Sequence, residues 1–83
     1  MTEKDKIDIC GVLVQVIKSQ AQQVENSLNS ISGVEVHGLS EGNRFVVTIE
    51  QETQAQIINI IEGFDALSGV VSTALVYQHS EAL

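Results

Sequence analysis

The chain has no proline, one cysteine, three aromatic residues, and four basic residues against eleven acidic ones. The single Cys10 rules out an internal disulfide, so no covalent bridge within the chain holds the fold, and a lone thiol suits a reducing compartment. With so few rings, the core must be aliphatic: 43% of residues are hydrophobic. At about 25 cal/mol per Å2 of buried apolar area, Val, Ile and Leu can hold a domain of this size with little margin. The shortage of Lys and Arg leaves a net charge of −7. That sign is wrong for nucleic acid, where cationic side chains must neutralise phosphates, and for an anionic membrane surface. It suits a cationic partner, or simply solubility. No apolar run approaches the roughly 20 residues of a membrane span. The polar N-terminus and the apolar run over residues 9–16 lack the cleavage pattern of a signal peptide, so a cytoplasmic location is expected. There is no linker and no low-complexity tract, and residues 1–83 read as one domain.

What is present is a repeat. Ile31-Ser32-Gly33-Val34 returns as Leu67-Ser68-Gly69-Val70. The apolar pattern before each copy returns at the same offset: Ala21, Val24, Leu28 and Ile31 match Ile57, Ile60, Phe64 and Leu67. Each set follows i, i+3, i+7, i+10, one stripe of an α-helix. A β-branched run precedes each stripe and another follows each Ser-Gly. Each half is strand, helix, strand. Two such halves predict an α+β sandwich, βαββαβ, whose sheet is covered by helices on one face only. The uncovered face is where function is to be sought.

Along the chain, residues 1–7 read as a frayed lead-in and 8–16 as the first strand. Ser19 is the candidate N-cap of the first helix, which stops at Ser32-Gly33, where glycine can adopt a left-handed conformation. The second strand covers 34–39, and Ser40-Glu41-Gly42-Asn43 forms a hairpin into the third, 44–51. The second helix opens at Thr53 or one residue earlier. Gly63 inside it costs about 1 kcal/mol against Ala and suggests a close approach to the sheet. The fourth strand covers 70–78, followed by a short tail whose last residues are 80–83.

Strand parity assigns the faces. Phe45, Val47 and Ile49 belong against the helices; Arg44, Val46, Thr48 and Glu50 face out. The second strand places Val34 and Val36 in, Glu35 and His37 out. Carrying the repeat offset back to the first strand puts Ile9, Gly11 and Leu13 in and Cys10, Val12, Val14 and Val16 out. Carrying it forward puts Val70, Ser72, Ala74 and Val76 in and Val71, Thr73, Leu75 and Tyr77 out. In the usual strand order, with the fourth beside the first, the first beside the third and the second at the edge, Val12, Val14, Val46, Val71, Leu75 and Tyr77 form an uncovered apolar patch. Asp8, Glu35 and Glu50 border it. Uncovered patches of this kind usually mark interfaces. The opposite parity for strands one and four would instead expose Ile9, Leu13 and Val76. Both strands are apolar on both faces, so a large apolar surface remains under either choice.

The residues offer little catalytic chemistry, and no enzyme activity, metal or cofactor is expected. His37 and His79 lie on different segments without metal-binding spacing, and each reads as a solvated histidine. Cys10 has no CxxC partner and reads as a small apolar strand residue. The 40–43 segment has too few glycines for a phosphate cradle. Glu50 and Glu52 point to opposite strand faces and form no acid/base pair. Tyr77 stands alone where an RNA-binding sheet would present stacked rings.

Ile9-Cys10-Gly11-Val12-Leu13-Val14, Gly33-Val34-Glu35-Val36, and above all Gly69-Val70 leading to Ala74-Leu75-Val76-Tyr77-Gln78-His79 resemble the NapD family, chaperones for maturation of periplasmic nitrate reductase. The resemblance spans residues 8–79. It implies a ferredoxin-like fold and a cytoplasmic chaperone that binds the twin-arginine signal peptide of the nitrate reductase catalytic subunit, holding back export until the molybdenum cofactor is inserted. On that implication, Val12, Val14, Val46, Leu75 and Tyr77 supply apolar contacts, Thr48 shares their face, and Glu35 or Glu50 meets the arginines. A monomer is expected. Family members often carry a longer acidic tail than Ser80-Glu81-Ala82-Leu83, so any help such a tail gives in capturing arginines is weaker here. Two competing readings remain: a self-associating regulatory module that binds a small ligand and dimerises through the open sheet, and an acylphosphatase-type enzyme using Arg44 and Asn43.

Overall fold

Both helical stripes are buried where the spacing places them. Val24 and Leu28 from one, and Ile57 and Phe64 from the other, join a single core with Cys10, Val12, Val14, Val16, Phe45, Val47 and Ile49. Ala21, Ile31, Ile60 and Leu67 pack around it. The computed structural model describes residues 6–82. In order these are β1 (Lys6–Val16), a 3-10 turn (Lys18–Gln20), α1 (Ala21–Asn29), β2 (Val34–Ser40), β3 (Arg44–Gln51), α2 (Gln54–Asp65) and β4 (Val70–Ala82). The strands make one antiparallel sheet in the order β2-β3-β1-β4, with both helices on one face. This is the ferredoxin-like βαββαβ arrangement that the repeat predicts.

The repeat persists in backbone hydrogen bonds. After α1, Ile31 N donates to Leu28 O and Val34 N to Ile31 O; after α2, Leu67 N donates to Phe64 O and Val70 N to Leu67 O. Gly33 and Gly69 close these turns at φ +83° and +99°, the left-handed region that favours glycine. Helix starts differ between the halves. Thr53 caps α2 with a full capping box, its Oγ1 accepting from Gln56 N at 3.2 Å while Gln56 Oε1 accepts from Thr53 N at 3.1 Å. Ser19 caps nothing. It lies in the 3-10 turn, and α1 starts without a side-chain cap.

The first-strand parity is reversed from the expectation. Cys10, Val12, Val14 and Val16 face the helices, each no more than 3% exposed. They pair in register with the inward set of β3: Cys10 with Ile49, Val12 with Val47, Val14 with Phe45. The cause is one residue. The connection from the end of β1 to the stripe beginning at Ala21 is one residue shorter than that from the end of β3 to the stripe beginning at Ile57. A one-residue slip turns every side chain of a strand to the other face. Val12 and Val14 therefore belong to the core and are withdrawn from the open patch. Ile9, Gly11 and Leu13 take their place.

On β4, two register shifts break the alternation, leaving Val71 and Val76 as extra residues. Thr73 pairs with Val14 and Leu75 with Val12, so both lie on the helix side, contrary to expectation. Thr73 Oγ1 donates to Asp65 Oδ1 of α2 at 3.3 Å. Ser72 and Ala74, expected inside, pair with Gln15 and Leu13 on the open face. Asp8 also lies on the helix side, paired across from Ser80, whose hydroxyl it accepts. The shift at Val76 restores the phase, and Tyr77 stands opposite Gly11 on the open face as expected.

The strands run further than expected: Lys6 and Ile7 pair with Ala82 and Glu81. The remainder of the lead-in, residues 1–5, and Leu83 of the tail lie outside the described residues. The 40–43 segment makes the expected hairpin, with Gly42 and Asn43 at φ +82° and +61°.

Gly63 makes no close approach. A Cβ built on it would meet nothing within 4 Å. Gly63→Ala is accordingly expected to stabilise the protein by about 0.5–1 kcal/mol, by lowering unfolded-state entropy and raising helix propensity. A denaturant melt checks this, as a higher midpoint at unchanged slope.

Candidate functional site

Among the described residues no helix covers the second face of the sheet. Its centre is a cleft of about 220 Å3, lined by Gly11, Leu13, Val46, Thr48, Val76 and Tyr77 among others. Three cross-strand levels build it. Leu13 lies between Val46 and Ala74, and Gly11 between Thr48 and Tyr77. Below them, Ile9 lies between Glu50 and His79. Val46 is 41% exposed, Tyr77 48% and Val76 58%. Large apolar side chains held this far into water on one face are what an interface presents.

Gly11 explains how Tyr77 sits. A Cβ at Gly11 would collide with Cε1 of the Tyr77 ring. Only glycine lets the ring rest against β1, and the ring in turn buries Gly11. The aromatic becomes one wall of the cleft.

Beside the cleft is a second depression, about 310 Å3, lined by Gly33, Val34, Glu35, Thr48 and Glu50. Thr48 borders both. The turn between α1 and β2 is tied to the end of β3 here. Glu50 N donates to Gly33 O at 2.8 Å, and Gln51 Nε2 donates to Ser32 O at 2.8 Å. That clasp fixes the backbone from which Glu35 and Glu50 project. Across β2, a register shift makes His37 the extra residue, and its Nε2 is hydrogen-bonded to Thr48 Oγ1 at 2.8 Å. Both carboxylates are exposed, and among the described residues neither has an ion-pair partner. The face thus offers an apolar cleft with two acceptor-only groups at its edge.

Of the residues singled out from sequence, Val46, Thr48, Glu50, Glu35 and Tyr77 share this face. Val12 lines the floor of the cleft but is buried in the core behind it, Val14 is buried there too, and Leu75 is on the opposite side. Sequence reasoning on the first parity missed Gly11, Leu13 and Val76. The alternative parity pointed to Leu13 and Val76. Gly11 carried no signal, because its role depends on the Tyr77 pairing that the bulge sets. Cys10 is buried, and burial pushes its thiol pKa up, which keeps it protonated and unreactive. Among the described residues no helix is long and apolar enough to cross a membrane.

The fold is a ferredoxin-like sandwich whose bare sheet face joins an apolar cleft to a carboxylate pair. The chain belongs to the NapD family: it matches the family described as NapD protein over residues 7–82. Among solved structures it is similar to the Tat proofreading chaperone NapD of E. coli, at 26% identity and a TM-score of 0.79, over 86% of this chain and 76% of that one. It shares its fold with a protein of Thermus thermophilus, at 18% identity and a TM-score of 0.71, covering 84% and 92% of the two chains. A hypothetical protein of Pyrococcus horikoshii also shares the fold, at 14% identity and 0.72, covering 92% and 90%. No sequence among curated proteins matches the chain.

Proposed function

We propose that this protein is a Tat proofreading chaperone acting in the cytoplasm. It binds the twin-arginine signal peptide of the catalytic subunit of periplasmic nitrate reductase and delays export until the cofactor is in place. The observation that carries this reading is the open face itself. Its apolar cleft adjoins Glu35 and Glu50, and a twin-arginine peptide has the complementary pair of features, a basic segment followed by an apolar one. Membership of the NapD family and the likeness to E. coli NapD support it.

The peptide, lying as an amphipathic helix, supplies the layer that this side of the sheet lacks. Leu13, Val46, Val76 and Tyr77 take its apolar side, with Thr48 between them and the carboxylates. Exposed ion pairs are worth only about 0–1 kcal/mol each, so most affinity comes from the cleft and most steering from the charges. The protein acts as a monomer, since the face that would pair two copies is the one the peptide occupies.

Calorimetric titration with the signal peptide of the matching nitrate reductase tests this, beside a twin-lysine version and an unrelated twin-arginine peptide. Binding of the first, weaker binding of the second and none of the third is the expected result. Absence of heat with the first would refute the reading.

A further inference from the structure

Charge is not spread evenly along the open face. At the level of Ile9 stands Glu50, with Glu35 beside the neighbouring Thr48 and Glu81 beyond, opposite Ile7. His79 shares this end, 3.9 Å from Glu81. The cleft follows at Gly11 and Leu13. At the far end, Gln15 is flanked by Arg44 and Ser72, and among the described residues Arg44 is the lysine or arginine that the strand register places on this face. The face therefore runs acidic, apolar, basic along the direction of β1.

We infer that the peptide binds in one direction, its arginines at the Glu35 and Glu50 end and its apolar helix running over Gly11 and Leu13 to finish near Arg44. This rests on the peptide-binding reading above. Two effects set the direction. The arginines meet carboxylates rather than Arg44, and like charges brought together at a contact disfavour the reverse pose. The helix dipole acts in the same sense, placing its positive N-terminal end over acids and its negative C-terminal end by Arg44. The geometry also gives a length. Glu50 pairs with Ile9 and Arg44 with Gln15. At about 3.3 Å per strand residue that separation is about 20 Å, which a helix rising 1.5 Å per residue covers in about 13 residues.

The test uses the titration peptide carrying a nitroxide at either its N- or its C-terminus, with amide NMR of the labelled protein. The N-terminal label is expected to broaden Ile9, Glu35 and Glu50, and the C-terminal label Gln15, Arg44 and Ser72. The reversed pattern, or both labels broadening both ends alike, would overturn the direction while leaving peptide binding intact. No broadening from either label, with no binding in the titration, would overturn the direction together with the reading beneath it.

Discussion

Val14→Glu is expected to leave no stably folded protein at neutral pH. Val14 is fully buried, between Phe45 on β3 and Thr73 on β4. A carboxylate cannot stay ionised there without a partner, and among the described residues no buried cation lies in this core. Holding it protonated at pH 7, against an ordinary glutamate value near 4.3, costs about 4 kcal/mol. The unpartnered polar group costs about 1–3 kcal/mol more, and the lost apolar side chain a similar amount. A chain of this length has a total stability of about 4–12 kcal/mol. The pH dependence has a definite sign. Any folded molecule has this carboxyl pKa raised above its unfolded value, so stability is greatest below the unfolded pKa and falls as pH rises. Circular dichroism melts at pH 4 and pH 7 check this: the variant recovers structure only toward the acid side. A native melt at pH 7 would mean that the side chain points out of the core.

That substitution also marks where the sequence stopped being legible. The layers, the hairpin and both glycine turns could be read, because each has a local cause: a 3.6-residue stripe, a β-branched run, a glycine at positive φ; the strand order followed only from the usual arrangement of a βαββαβ sandwich. The faces of β2 and β3 could be read because charged residues alternate with apolar ones in them. β1 gave no such contrast. Cys10, Val12 and Val14 are as apolar as Ile9 and Leu13, so period-two reasoning had no polar residue to anchor it. The repeat offset carries parity only if the connections match in length. They differ by one residue, between a 3-10 turn and a capping box. β4 failed for another reason. Its bulges, at Val71 opposite the Gln15–Val16 step and at Val76 opposite the Gly11–Val12 step, are set by pairing with β1, a long-range constraint with no signature in residues 70–82. Tyr77 keeps its expected face because the bulge at Val76 returns the strand to phase.

Leu13→Glu should do the opposite of Val14→Glu, one residue away. Leu13 points from the uncovered face, partly exposed, between Val46 and Ala74. A glutamate there reaches water, so the thermal midpoint should stay within a few degrees of the parent. Peptide binding is a different matter. The leucine contributes about 1.5–3 kcal/mol of burial under a bound apolar helix. The carboxylate that replaces it must be desolvated in the contact without a partner, which adds about 1–3 kcal/mol. At 1.4 kcal/mol per factor of ten, the loss is about 100-fold or more. Leu75→Glu is the control: it places the same charge on a residue 56% exposed, but on the helix side of β4. Its affinity should stay within about twofold of the parent, since the charge lies on the far side of the sheet and solvent screens it. Calorimetry on the two variants and the parent decides the matter. Equal affinities in all three would remove the cleft from the binding site. Loss in Leu75→Glu with retention in Leu13→Glu would put the peptide on the helix side, and the bare face would need another partner.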